Sequence, residues 1–480
     1  MSIKKQLLSG VFYTAISKYA GILISLIVSA VLARLILPDD FGVVAIATVI
    51  ITFFGIFTDL GIGPAIIQQK DLTEKDLSNI FSFTIIGGIV LSLLFFLSSW
   101  LIGNYYNNKT LIIICQLLSV NLFFSAINIV PNALLFKEKL FKFVAIRSLL
   151  IQVVGGTMSI GAALWGAGLY ALIINPIFSS VFIFIFTFRK KPQKLCFTLG
   201  VNSMRKIFNF SAYQFLFNVI NYFSRNLDKL LIGKLMGMGA LGYYEKSYRL
   251  MMLPLQNITH VISPVMHPVF SEMQNNLEKL AGSYEKVTKL LAYIGFPLSV
   301  LLYFTATEIT LILFGEQWTN SIAPFQILSL SVGIQIIMST SGSIFQAAND
   351  TKSLFICGIF SATLTVSAML IGIFLFKTLE AVAWSICIAF TINFIQCYWM
   401  MYNITFKRNL LIFAKTLIMP IILSIILVIA FYILAPFLLK LSLIISACIK
   451  SAIFFLISFS FILITNEFSS QNFLKKILPN

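Results

Sequence analysis

Charged side chains interrupt several of the apolar stretches of this chain: Lys18, Asp59, Arg147, Arg225, Asp228, Lys229, Glu245, Lys246, Arg249 and Lys450. A charge at membrane depth is expensive and marks a functional site by default. The seven cations here outnumber the acids beside them, which asks for an anionic ligand. Arginine grips phosphate oxygens through its bidentate fork, and lysine does so as a point charge. Lys18, Arg147 and Arg225 have the fewest acidic neighbours and read as lining an anion-binding cavity, with snorkelling or local pairing as the alternative. Glu245 and Arg249 stand four apart in the order that favours an ion pair, and Asp228 has Lys229 and Lys246 within reach. For that cluster a charge-paired helix interface competes with substrate binding by Lys229 and Arg249. Asp59 is either a proton or Na⁺ site coupled to transport or the salt-bridge partner of Lys18 or Arg147.

A polar stripe accompanies the charges. Gln214, Asn218, Asn221, Arg225 and Asp228 fall at i, i+4, i+7, i+11 and i+14, all on one face of a helix. Polar groups facing lipid cost several kcal/mol each when unsatisfied, so the stripe must face another helix or water. Gln214, Asn218 and Asn221 are therefore candidate ligand-binding residues lining a polar cavity.

The elements that carry these residues are membrane helices. Of 480 residues 59% are hydrophobic and 11% charged, whereas a soluble domain is about half apolar and a quarter charged. Fourteen apolar windows run from Ser9–Ile36 to Leu441–Thr465, among them Leu111–Phe136, Phe208–Leu235, Leu241–Phe270, Leu290–Phe314 and Ile322–Ala348, and Ser271–Lys289 is one of the two longest connectors between them. At ~20 residues each, fourteen helices use roughly 280 residues and leave only short connectors. The unbroken apolar runs exclude a porin-type barrel, whose strands alternate. Composition also excludes a disordered chain and a disulfide scaffold.

The net charge of +17 suggests nucleic acid in a soluble protein, but here the basic residues gather in alternate loops. With the N-terminus cytoplasmic, twenty-two Lys and Arg fall inside and five outside. That bias sets the orientation, with both termini inside. The six cysteines contain no CxxC pair and read as buried hydrophobes. His260 and His267 lie two turns apart, a poor metal site. Nucleotide-binding and hydrolase motifs are absent, so no catalytic residue, no metal and no cofactor beyond a coupling ion is expected.

An internal repeat decides the architecture. Ala33–Gly42 reads ARLILPDDFG, and two hundred residues later Gly233–Gly242 reads GKLMGMGALG. Each stretch joins the first two helices of a six-helix set. Thr14, Lys18, Gly21 and Ser25 correspond to Gln214, Asn218, Asn221 and Arg225 at the same offset. The expected organisation is all-α: an N-lobe over 1–188, a cytoplasmic linker over 189–207, a C-lobe over 208–405, and two further helices with a tail over 406–480. The repeats run parallel, related by an axis along the membrane normal.

Arg225–Gln256, RNLDKLLIGKLMGMGALGYYEKSYRLMMLPLQ, closely resembles the polysaccharide transporter family. This family includes Wzx-type O-antigen flippases and colanic-acid-exporter-like proteins. It belongs to the exporter superfamily that also holds multidrug and toxin extrusion (MATE) transporters and the lipid II flippase. Asp39–Gly42, Asp59–Gly63 and Leu313–Trp318 are also similar to it. The resemblance implies an inner-membrane flippase for an undecaprenyl-diphosphate-linked oligosaccharide: an O-antigen, capsule or exopolysaccharide repeat unit. It also implies alternating access, Na⁺ or H⁺ as the coupling ion, membrane lipids as surroundings, and polysaccharide polymerase and chain-length proteins as partners. Spans thirteen and fourteen resemble the additional pair that helps form the tail groove of the lipid II flippase. The competing transport reading is a MATE-like antiporter of drugs or other small cations, which would prefer an acidic cavity. Trp318 and Glu316 are expected at the outer interface, as aromatic belt and helix cap.

Overall fold

The computed structural model describes residues 3–59, 61–69, 71–195, 222, 226–438 and 440–465, and for 3–11, 59, 260–261, 263–265 and 267–268 the backbone alone. Helices dominate the described residues, and no strand occurs among them. The chain divides into two compact units, Met1–Gly242 and Tyr243–Asn480. Eleven described helices are long and apolar enough to cross a membrane, or up to twelve when one bent pair is taken as a single span.

The first unit contains α1 (Ile3–Leu35), α2 (Pro38–Asp59), α3 (Ile62–Gln68), α4 (Glu74–Tyr106), α5 (Lys109–Ile127), α6 (Ile129–Lys137), α7 (Phe141–Leu164), α8 (Ala171–Lys190), the helical residues 226–235 (α9), and the first turn of α10 (Met238–Ser271). Neighbours in sequence pack as neighbours in space: α4 on α5, α7 on α8, and α1 back onto α7. The polar sequence Thr73-Glu74-Lys75-Asp76 starts α4 as a capping box. The Thr73 hydroxyl accepts from the Asp76 N–H at 3.2 Å, and the Asp76 carboxylate accepts from the Thr73 N–H at 3.1 Å. The expected single span Leu111–Phe136 is broken at Asn128 into α5 and α6. The short helices α3 and α6 then bury Ile66, Phe81, Val130 and Leu134 together.

The repeat is legible in a pair of contacts inside this unit. A Cβ at Gly42 would fall 1.9 Å from the Met238 carbonyl oxygen, and one at Gly242 would fall 2.1 Å from the Pro38 carbonyl oxygen. The two contacts interchange under the offset of 200. Only glycine lets the first turns of α2 and α10 approach to backbone contact.

The second unit holds the rest of α10, α11 (Leu277–Phe304), α12 (Ala306–Phe314), α13 (Ile322–Ser329), α14 (Val332–Met338), α15 (Ser341–Ala347), α16 (Thr351–Ile371), α17 (Leu379–Met400), α18 (Leu410–Leu438) and α19 (Leu443–Thr465). Here α11 lies against α14 and α18, and α17 against α13 and α16. The connector expected over Ser271–Lys289 is largely helix, because Asn276 caps α11 by accepting from the Lys279 N–H at 2.9 Å. Leu280, Ala281, Tyr284 and Thr288, at helical spacing, turn inward and are buried. The window Ile322–Ala348 is three short helices, in a segment that bends by 48°. The window Leu241–Phe270 lies in the 34-residue α10, whose Glu245, Lys246 and Arg249 make it more polar than the eleven spans. Most of the window Phe208–Leu235 lies outside the described residues.

Candidate functional site

Arg147 is the most telling of the expected site residues. It lies about 9 Å along α7 from Phe141 and is only 7% exposed. Its Nη1 donates to the Thr187 hydroxyl on α8, and its Nη2 donates to the Asn132 side-chain oxygen on α6 at 3.3 Å. Its Nε is buried and unmatched. Among the described residues no carboxylate approaches it. A guanidinium held only by neutral acceptors keeps its full charge in a low-dielectric setting, a costly arrangement that an anion would relieve.

The sequence accounts for the three elements that meet there. Asn128 breaks the helix and restarts it as α6, which places Asn132 one turn on. Thr187 sits in the last turn of α8, where its hydroxyl bonds back to the Ile183 carbonyl at 2.6 Å and its oxygen still accepts from Arg147. At the same end of the unit Lys191 pairs with Glu138, and Lys137 donates to the Gln69 carbonyl at 2.6 Å.

Lys18 is half-buried on α1 and makes no hydrogen bond or ion pair among the described residues. The helices of Lys18 and Arg147 do pack together: Ser17 donates to the Ala145 carbonyl at 3.4 Å, and Gln152 to the Gly21 carbonyl at 2.8 Å. Ala145 and Gln152 therefore mark the α7 face toward α1, while Arg147 turns toward α6 and α8. Among the described residues Lys18 and Arg147 share no partner. Asp59 ends α2 and its side chain lies outside the description, as do Gln214, Asn218, Asn221 and Arg225 entirely.

Asp228 is buried on α9, its carboxylate accepting from the Lys229 N–H at 2.8 Å, and Lys229 is half-buried. On α10 Glu245 is half-buried, Arg249 exposed, and Lys246 only 2% exposed. Lys246 packs its ammonium over the rings of Phe314 at 4.7 Å and Trp318 at 5.3 Å. Trp318 corrects the expectation of an aromatic belt. It is fully buried against Tyr243 and Phe314, because Gly315 turns the chain so that the indole packs under α10; Glu316 is exposed.

One cluster was not singled out from the sequence. Glu308 on α12 is 5% exposed and pairs with Lys450 of α19. Lys450 stood among the charges that interrupt apolar stretches, and the signal left unread was the acid just before the run Ile309–Phe314. A second polar feature is a cavity of about 350 Å³ in the first unit, lined by Asp39, Asp40, Tyr106, Asn107, Asn108 and Lys234 among others. Among the described residues no group of three or more His, Cys, Asp or Glu is placed to hold a metal.

Comparison with known proteins supplies the lineage. A model described as polysaccharide biosynthesis protein matches residues 31–324. The chain is 26% identical over 431 residues to the teichuronic acid biosynthesis protein TuaB of Bacillus subtilis, covering 88% of each. It is 27% identical over 379 residues to the lipopolysaccharide biosynthesis protein WzxC of Escherichia coli, covering 78% of this chain and 76% of that one. The fold is shared with the lipid II flippase MurJ in an inward closed conformation, at a TM-score of 0.70 and 15% identity over 94% of this chain and 99% of that one. The chain is therefore a member of the polysaccharide biosynthesis protein family, and its helical fold is the one seen in that flippase.

Proposed function

We propose that this protein is a flippase of the bacterial inner membrane. It moves an undecaprenyl-diphosphate-linked oligosaccharide, the repeat unit of a surface polysaccharide, from the inner to the outer leaflet by alternating access. The observation that carries the reading is Arg147, a buried guanidinium with only neutral partners and an unmatched Nε among the described residues. A diphosphate supplies the oxygens that such a group lacks. Two relatives are named for biosynthesis of teichuronic acid and of lipopolysaccharide, and the fold neighbour for flipping lipid II. All three names fit a lipid-borne glycan better than a cationic drug.

In this reading the fourteen-span count, both termini inside, and the boundaries 1–188, 189–207, 208–405 and 406–480 are retained. Lys18, Arg225, Lys229 and Arg249 assist the anion, Gln214, Asn218 and Asn221 meet the glycan, and Asp59, Asp228 and Glu245 are candidates for pairing or coupling. Cells lacking the protein are expected to accumulate the lipid-linked repeat unit in the inner leaflet. Wild-type protein restores export, and Arg147→Met, folded and inserted, does not. Normal surface polysaccharide in the deletion strain removes the flippase reading. Normal export by Arg147→Met removes the anion site.

A further inference from the structure

The attachment of α19 to its unit is unusual. Ser446 is its one buried residue. Below it Ile453, Phe454, Ile457 and Phe461 lie partly buried against Leu423, Leu427 and Phe431. The polar attachments converge on a single carboxylate. Ser446 donates from Oγ to Glu308 Oε1 at 2.7 Å, and Lys450, one turn further along α19, pairs with the same oxygen. Lys450 also donates to the Phe304 carbonyl at 2.7 Å. Phe304 is the last residue of α11, so the ammonium also sits at a helix C-terminus, where the backbone is negative.

Two features argue against a simple staple. A buried ion pair holds two elements no better than a well-packed apolar pair does. And Glu308 Oε2, buried with the rest of the side chain, has no donor among the described residues. Both bonds fall on one oxygen, which leaves half of the carboxylate charge unmatched in a low-dielectric setting.

We propose that Glu308 is a proton-binding site. Ionised, it clasps α19 to α12 through Ser446 and Lys450. A proton from solution forms an O–H bond at Oε2, cancels the carboxylate charge, and so ends the ion pair. No other covalent bond changes. The four-carbon stem of Lys450 lets its nitrogen reach toward the headgroups. The segment of α19 that carries Ser446 and Lys450 is then released, while the apolar patch below it stays packed.

Lys450 is the one titratable group that bonds to Glu308 among the described residues. Of the other elements packed against α12, α11 brings Tyr303 near this end, α10 brings Lys246 onto Phe314 at the far end, the turn Glu316–Ser321 brings the exposed Glu316, and α13 brings none. A coupling role for the site rests on the flippase reading above; the binding of the proton does not.

Cys448, exposed on α19 between the two clasp residues, is a built-in probe. The full chain, with its other five cysteines changed to alanine, carries a nitroxide on Cys448 in lipid nanodiscs and is titrated from about pH 8 to about pH 4. The spectrum is expected to shift from immobilised to mobile in a one-proton transition. Glu308→Gln is expected to be mobile at every pH. Glu308→Leu combined with Lys450→Met, which packs without charge, is expected to be immobilised at every pH. A wild-type spectrum unchanged by pH overturns the proposal, as does an unaltered transition in the Leu/Met variant. If the transition is present but cells lacking the protein export glycan normally, the flippase reading fails and the proton site stands.

Discussion

Gly42 and Gly242 offer a direct test of the repeat as a packing device. Replacing Gly42 by alanine puts a methyl 1.9 Å from the Met238 carbonyl oxygen, where ordinary contact begins near 3.4 Å, so the first turns of α2 and α10 must separate by about 1.5 Å. The obstacle is backbone on a helix and has no rotamer by which to escape. Overpacking of this kind costs about 1–3 kcal/mol, and Gly242→Ala, at 2.1 Å from the Pro38 carbonyl, falls in the same range. Both glycines serve one contact, so the first alanine opens the gap that the second would need. The double variant should be less destabilised than the sum of the singles, with a coupling of about 0.5–3 kcal/mol. The assay is reversible unfolding of wild type, both singles and the double in mixed micelles, read as a double-mutant cycle. Single variants within about 0.5 kcal/mol of wild type, the usual range for surface changes, or strict additivity in the double refute the reasoning.

Two further outcomes concern the second unit. The Tyr284 hydroxyl bridges the Tyr398 hydroxyl at 2.7 Å and the Thr340 hydroxyl at 3.1 Å, yet both of those keep a bond to the Ile337 carbonyl. Tyr284→Phe is therefore expected to lower unfolding stability by only about 1 kcal/mol, and a loss several times larger contradicts the shared network. Asp350 caps α16 by accepting from the Ser353 N–H at 3.0 Å and takes the Thr405 hydroxyl at 2.7 Å. Partial burial pushes its carboxyl up, but the bonds from Thr405 and Ser353 outweigh that and hold it below the ordinary aspartate value. Its contribution is thus complete above the ordinary value and is lost as pH falls through the lowered native one. Asp350→Ala should cost about 1 kcal/mol at neutral pH, with the difference from wild type shrinking in acid; a difference that grows in acid contradicts the assignment.

The parts of the fold legible in the sequence are those set by local pattern. Hydropathy marked the spans, and the helical spacing of Leu280, Tyr284 and Thr288 was present in a stretch expected as connector, where flanking lysines and glutamates masked it. Breaks were harder. Asn128 interrupts a run whose hydropathy is continuous, because a helix break depends on what packs against it as much as on composition. Trp318 shows the same limit. Its place beside Glu316 suggested an interface, and only the turn at Gly315 and the cover provided by Tyr243 and Phe314 make it core.

By itself the sequence determined the class and the lineage: an all-helical chain too apolar for water, with intramembrane charges and a repeat at 200 residues, similar to polysaccharide transporters. These follow from composition and spacing, which act within a turn or a span. The tertiary structure alone decided which charges are matched. Among the described residues Arg147 meets Asn132 and Thr187 but no acid, whereas Lys450 meets Glu308 across 142 residues of sequence. Charge matching depends on which helix faces pack together, and neighbours that distant are brought into contact only by the folding of the whole unit.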